Sequence, residues 1–197
     1  MKLSAVVLAG GRSTRMGCDK AWLTVDGQPL ITRVVATLRE LDLEEVFISG
    51  RPETDYSSLQ CSVLLDREPG LGPVAGIEQA MLACTAPLLL VLAVDMPKMT
   101  AAFLRILVAQ IGLSTGTVPV LKGQVEPLAA IYPRRCQPLA VDCLAHHRGA
   151  ARHFASACLR ESAVRVFPVA PAHEACFENW NSPSDTAVGG AQASLYR

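Results

Sequence analysis

Pro87 to Val94 (PLLLVLAV) is apolar at every position and is followed directly by Asp95. Strands that are buried on both faces have this composition, and they belong to parallel sheets covered by helices. A second short apolar run, Ser4 to Ala9 (SAVVLA), ends just as abruptly at Gly10 and Gly11. Both runs predict buried strands that leave a sheet at a loop carrying polar groups.

Strand-like and helix-like segments alternate around these two runs. Apolar residues recur at helical spacing within 29–41, 74–84 and 103–111, whereas 45–49 and 62–65 are short β-rich runs. Further along, the pattern predicts strands at 116–121 and 127–132 around a Lys122–Gly123 turn, helices at 135–145 and 150–160, and a late strand at 165–169. The fold class that follows is α/β: a doubly wound, mostly parallel sheet with helices on both faces.

The length of 197 residues suits one domain, and the chain contains no repeat, low-complexity segment or linker. We therefore expect a single domain over residues 1–188, closed by a helix that Ser182 caps. The polar, glycine-led residues 189–197 are expected to form a flexible tail.

The bulk composition excludes several classes of protein. A formal net charge of zero argues against a nucleic-acid binder, since such proteins need excess Lys and Arg. The longest apolar run is far below the roughly 20 residues that span a bilayer, and no signal peptide is evident. Seven scattered cysteines without a Cys-x-x-Cys pair indicate reduced thiols. These features predict a cytoplasmic protein with no membrane and no nucleic-acid partner.

The loop after the first strand has the groups that a triphosphate needs. Gly10 and Gly11 expose backbone N–H donors, and Arg12, Arg15 and Lys20 supply three cations within nine positions. The spacing matches neither the Gly-x-Gly-x-x-Gly of dinucleotide-binding proteins nor a P-loop. A strand–helix turn with solvated charges is the alternative.

Asp95 lies where a strand leaves the sheet, and open α/β sheets bind ligands at the carboxyl ends of their strands. A carboxylate there suits Mg²⁺, which prefers oxygen ligands and substrate phosphates. The alternative is an Asp that caps the next helix. Asp66 is a weaker case of the same kind. The small residues 70–76 open a helix whose N-terminus can face an anion, unless they are a plain loop.

Asn179 and Asn181 alternate about Trp180, so in an extended segment both amides point to one side. Their oxygens can complete a metal shell, and ordinary turn chemistry is the alternative. The four histidines lack the spacing of a zinc site.

Taken in order, these segments resemble the molybdenum cofactor guanylyltransferase family, a branch of the Rossmann-like NTP transferases. The resemblance rests on an ordered set of motifs: Leu8 to Gly17, Asp19-Lys20, Asp26 to Leu30, Gly72 to Gly76, Asp95 to Pro97 and Asn179 to Asp185. It implies a nucleotidyltransferase-type fold whose N-terminal half binds nucleotide and whose C-terminal half binds the acceptor.

The resemblance also implies roles for individual residues. The nucleotide-binding positions are Leu8, Ala9, Gly10, Gly11, Lys20, Ser49, Asp66 and Asp95. Arg15, Lys20 and Asp95 are expected to be catalytic, with Asp95 as the ligand of Mg²⁺. Gly76, Arg152, Asn179 and Asn181 are expected near the acceptor.

The implied reaction transfers GMP from GTP to the terminal phosphate of molybdopterin or molybdenum cofactor, with transient contact to cofactor-insertion proteins or molybdoenzymes. Two departures lie in the acceptor half, where relatives often have His before Pro127 and Thr-Pro-Glu at residues 182–184. Three other hypotheses stay open: a cytidylyl enzyme or one using another phosphorylated acceptor, a non-catalytic pterin or nucleotide binder, and a nicotinamide oxidoreductase.

Overall fold

The computed structural model describes residues 2–10, 20–65 and 70–180. The predicted alternation is confirmed. The strands are β1 Leu3–Leu8, β2 Thr24–Val25, β3 Gln28–Pro29, β4 Val46–Gly50, β5 Ser62–Leu65, β6 Leu88–Ala93, β7 Gly116–Leu121, β8 Gln124–Val125, β9 Ala129–Pro133 and β10 Val164–Pro168. The helices are α1 Leu30–Arg39, α2 Pro73–Ala83, α3 Ala101–Val108, α4 Gln137–Ala145 and α5 Ala151–Arg160.

Within the described part of the chain, one mixed sheet has the strand order β10-β7-β9-β6-β1-β4-β5, and β8 pairs with β7. β6, β1, β4 and β5 run parallel, as do β10 and β7. β9 is antiparallel to both β6 and β7. The sheet is therefore mostly parallel, as the sequence predicts, and the edge at which β1, β4 and β6 end is called the carboxyl edge below.

Helices cover both faces of the sheet. The side chains of β6 divide between them: Leu88, Leu90 and Leu92 pack with α1 and α3, whereas Leu89 and Val91 pack with α2, α4 and α5. Because successive side chains of a strand point to opposite faces, a strand buried on both faces must be apolar throughout. This explains the composition of residues 87–94.

One predicted connection differs in the structure. Lys122 and Gly123 both have positive φ, 50° and 81°, and join β7 to the two-residue strand β8. A two-residue turn of this kind matches the twist of adjacent antiparallel strands. The turn was expected to lead into the strand at 127–132, but that strand begins at Ala129 after a further loop.

Three sequence predictions fall outside the described residues: the helix capped by Ser182, the tail at 189–197, and the boundary between them. Among the residues that the structure describes, none of the helices combines the length and the apolar character needed to cross a membrane.

Candidate active site

The site is built where β1, β4 and β6 end side by side. Leu8 is level with Ser49 on one side and with Ala93 on the other. The Ala9 N–H donates to the Ser49 carbonyl at 2.9 Å, and the Val94 N–H donates to the Leu8 carbonyl at 3.2 Å. These hydrogen bonds continue the parallel ladder beyond the last residues of the strands. The segments that follow β1, β4 and β6 therefore begin side by side at the carboxyl edge.

Lys20 and Asp95 meet at this edge although 75 positions separate them in the chain. The Lys20 Nζ lies 3.2 Å from the Asp95 Oδ2, and the two side chains are 16% and 28% exposed. Lys20 opens a short 3₁₀ turn, Lys20–Trp22. Two of the residues predicted to be catalytic are therefore in direct contact.

Asp95 is not the cap of the following helix, which was the alternative explanation for its position. Thr100 caps α3, because its side-chain oxygen accepts a hydrogen bond from the Phe103 N–H at 3.2 Å. The carboxylate of Asp95 instead accepts a hydrogen bond from Lys20.

Packing, an ion pair and a hydrogen bond hold residues 177–180 next to Asp95. Phe177 is buried with its ring 5.2 Å from that of Phe103, and Lys98 pairs with Glu178 at 2.5 Å. The Trp180 N–H then donates to the backbone carbonyl of Asp95 at 3.0 Å. These contacts bring the exposed Asn179 next to the Asp95 loop.

The N-termini of α2 and α5 lie at the same edge, since each helix precedes a strand parallel to β1. Gly72 starts α2 with a φ of +80°, and a Cβ there would lie 2.7 Å from the Gly149 carbonyl oxygen. The Val74 N–H donates to this same oxygen at 3.3 Å. One of the free amides predicted to face an anion is therefore bonded within the protein. Arg152, in the first turn of α5, is exposed close by.

Ser49 and Gly76 are packed against each other rather than open to solvent. Both are buried, and a Cβ on Gly76 would overlap the Ser49 hydroxyl and the Leu8 side chain. Gly76 thus allows α2 to lie close to the ends of β1 and β4. Its predicted role next to the acceptor is not visible in these contacts and stays a prediction.

The structure brings together Leu8, Ala9, Gly10, Lys20, Ser49 and Asp95 at the carboxyl edge, with Gly76, Arg152 and Asn179 on elements that reach it. Gly11, Arg15, Asp66 and Asn181 lie outside the described residues. The sequence pattern predicted Gly149 only as a break between two helices, and its contact with Gly72 was not predicted. The position of Tyr56 was not predicted either: its ring stacks on that of Trp22, with centroids 6.3 Å apart, and would meet a Cβ on Gly50 at 2.5 Å.

Glu126, one of the two departures from the resembled family, lies in the loop that enters β9 at this edge. The Ala93 N–H donates to the Leu128 carbonyl at 2.8 Å, so the loop adjoins the end of β6. Burial raises the pKa of the Glu126 carboxyl above its usual value. A half-buried acid therefore lies at the position where the resemblance led us to expect a histidine.

The carboxylate at the edge is of the kind that would hold a Mg²⁺ ion. Asp95 presents a carboxylate oxygen that already holds a cation, the Lys20 ammonium. In the described part of the chain no group of three or more His, Cys, Asp or Glu side chains is arranged to hold a metal. Mg²⁺ is usually bound through one or two carboxylates and takes its other ligands from water and phosphates.

Residues 5–165 match the family model of the MobA-like NTP transferase domain. A protein from Opitutus terrae named probable molybdenum cofactor guanylyltransferase is 37% identical over 186 residues, covering 93% of this chain and 92% of its own. One of the same name from Pelotomaculum thermopropionicum is 33% identical, covering 100% and 96%.

Among solved structures, molybdopterin-guanine dinucleotide biosynthesis protein A from Archaeoglobus fulgidus superposes with a TM-score of 0.74. The match covers 94% of this chain and 96% of the other, at 22% sequence identity. At that identity the likeness supports the fold alone, and it agrees with the mostly parallel sheet described above.

Proposed function

The chain belongs to the family of MobA-like NTP transferase domains, and on that premise we propose that it transfers GMP from GTP to the terminal phosphate of molybdopterin, or of molybdenum cofactor. The products are the guanine dinucleotide form of the cofactor and pyrophosphate. The observation that carries the proposal is the contact between Lys20 and Asp95 at the carboxyl edge. It places a cation suited to phosphate beside a carboxylate suited to a metal, in a chain whose relatives, matched over most of their length, are named probable molybdenum cofactor guanylyltransferases.

In the proposed mechanism the acceptor phosphate attacks the α-phosphate of GTP in line, and pyrophosphate leaves. A phosphate monoester is already largely ionised at neutral pH, with a second pKa near ~6, so the reaction needs no general base. The work of the protein is to orient two phosphates and to offset the charge that collects on them.

Different residues are proposed to contact the two ends of the nucleotide. Leu8, Ala9 and Gly10 lie against the nucleotide at the exit of β1, together with Gly11, Ser49 and Asp66. Lys20 and Arg15 offset the charge of the leaving pyrophosphate. When bound at Asp95, Mg²⁺ supplies Lewis-acid stabilisation of the phosphate oxygens.

The acceptor is proposed to bind on the side of the edge formed by α2, α5 and the segment after Phe177. Arg152 is an exposed cation there, and Asn179, Asn181 and Gly76 are the other proposed contacts. We also propose a cytoplasmic location and transient contact with proteins that insert the cofactor, or with molybdoenzymes. The six described cysteines are free thiols, which suits a reducing compartment.

Mass spectrometry of the products tests the proposal. The protein is incubated with Mg²⁺, molybdopterin and each of the four NTPs in turn. We expect the guanine dinucleotide and pyrophosphate with GTP. Absence of any dinucleotide product would favour a non-catalytic pterin or nucleotide binder, and enhanced NADH fluorescence would favour an oxidoreductase.

The cytidylyl enzyme is the second candidate, and Gly10 discriminates between the two. In the resembled families guanylyl members read Leu-Ala-Gly-Gly at the strand exit, as here, and cytidylyl members tend to read Leu-Ala-Ala-Gly. Among the described residues, the atom nearest to a methyl group on residue 10 would be the Ser49 carbonyl oxygen, at 3.8 Å. The described part of the chain therefore leaves room for alanine, and we expect the effect of such a change to come from the ligand.

We expect Gly10→Ala to reduce the use of GTP more than that of CTP, because a Cβ at the strand exit crowds the larger purine ring. The measurement is a competition assay with equimolar GTP and CTP on wild type and variant, with thermal unfolding as the check on the fold. A wild-type product that is mainly the cytosine dinucleotide would replace the guanylyl proposal by the cytidylyl one.

A further inference from the structure

We propose that Lys20 is a resident counterion that competes with a divalent cation for Asp95 in the free protein, and that the phosphates of the incoming nucleotide draw it away. The divalent cation then enters together with the nucleotide rather than before it. This inference rests on the proposed function, because it takes Asp95 as the metal ligand.

The first argument is the geometry of the pair. The Lys20 ammonium is 3.2 Å from the carboxylate oxygen, and both side chains are mostly shielded from water. A partly desolvated pair of opposite charges is stronger than an exposed one, since water and salt screen it less. A cation that binds through the same oxygen of Asp95 must therefore displace an ammonium that is already hydrogen bonded to it.

The second argument concerns charge balance. Among the described residues, Asp95 belongs to no group of three or more His, Cys, Asp or Glu side chains arranged to hold a metal. A divalent ion that displaces Lys20 from Asp95 in the absence of nucleotide brings two positive charges next to that ammonium and adds no negative charge of its own. The triphosphate removes this penalty, because its oxygens offer Lys20 a new acceptor and give Mg²⁺ the phosphate ligands that it prefers.

The third argument is that one partner can move while the other is held. The backbone of Asp95 is bound to the ladder through Val94 and to the Trp180 N–H. Lysine carries its charge on a flexible four-carbon stem with three rotatable donors. Lys20 can therefore exchange the carboxylate for a phosphate while Asp95 stays in place.

The test measures Mn²⁺ binding to the full chain without nucleotide, by loss of the free-ion EPR signal. Lys20→Met keeps the length of the stem but removes the charge, and we expect it to bind Mn²⁺ about tenfold more tightly than wild type, a change of roughly 1.4 kcal/mol. Lys20→Arg should bind as weakly as wild type, and the gain should vanish in Lys20→Met/Asp95→Asn. Equal affinities of wild type and Lys20→Met would overturn the inference.

Lys98→Met is the matched control. It removes a positive charge near the same edge, but from the pair with Glu178 rather than from Asp95. We expect no change in Mn²⁺ affinity. A gain as large as that of Lys20→Met would show a general charge effect and overturn the inference.

A second measurement does not depend on the folding of the Lys20 variants. If the carboxylate competes with phosphate for Lys20, Asp95→Asn should bind inorganic tripolyphosphate in EDTA several-fold more tightly than wild type, by calorimetry. Glu178→Gln removes a neighbouring carboxylate and should gain less. Equal gains in tripolyphosphate affinity in the two variants would mean that each substitution only relieved repulsion between a carboxylate and the phosphates. That result would contradict the proposal.

Neither measurement involves the acceptor, a nucleobase or catalytic turnover. A product other than the guanine dinucleotide would therefore refute the proposed function and leave the Mn²⁺ result standing. Equal Mn²⁺ affinities would refute the exchange at Lys20 even in a protein that makes the guanine dinucleotide.

Discussion

Asp95→Asn is expected to lower the turnover of GTP by about a hundredfold or more while the fold stays intact, since removal of one preorganised electrostatic contact commonly has this effect. An amide lacks the anionic charge that balances Mg²⁺ among phosphates. The fold should survive, because the amide oxygen can still accept from Lys20 and the backbone carbonyl still accepts from the Trp180 N–H.

The measurement is single-turnover product formation at saturating Mg²⁺, with circular dichroism and thermal unfolding as checks on the fold. Glu178→Gln makes the same chemical change a few residues from the site, in the pair with Lys98, and should keep turnover near that of wild type. Normal turnover in Asp95→Asn would end the assignment of Asp95 as the metal ligand.

Gly149→Ala is expected to lower the free energy of unfolding by about 2–3 kcal/mol, the upper part of the range for overpacking a well-packed position. A Cβ on Gly149 would overlap the backbone carbonyl of Leu71, which a rotamer change cannot move aside. The turn before α2 would have to shift, and the hydrogen bond from the Val74 N–H to the Gly149 carbonyl would be strained.

Urea unfolding of wild type and variant measures this effect. Gly149 is not among the described glycines with positive φ, so the substitution tests the contact and not backbone strain. Gly112→Ala is the control, because its Cβ would lie 3.5 Å from the nearest heavy atom, the Thr115 Cβ. We expect a change there within about 0.5 kcal/mol. Equal unfolding free energies for wild type and Gly149→Ala would show that the turn before α2 can shift without loss of stability.

The sequence by itself determined the layered α/β fold and most of its elements. Residues 87–94 carry this information, because an all-apolar strand is stable only when helices cover both faces of its sheet. The sequence also determined that Asp95 ends such a strand, and that Lys20 follows a glycine loop at the end of another. These features can be predicted locally, because the burial pattern of a strand and the composition of a loop depend on consecutive residues.

Only the tertiary structure decided which of these residues meet. The contact of Lys20 with Asp95, the bond of the Trp180 N–H to the Asp95 carbonyl, and the closeness of Gly72 to Gly149 all join distant parts of the chain. They depend on strand order, because β1 and β6 lie side by side although 79 positions separate Leu8 from Pro87. Periodicity shows that a segment is a strand, but its neighbours are chosen by how all the helices and strands bury their apolar faces together.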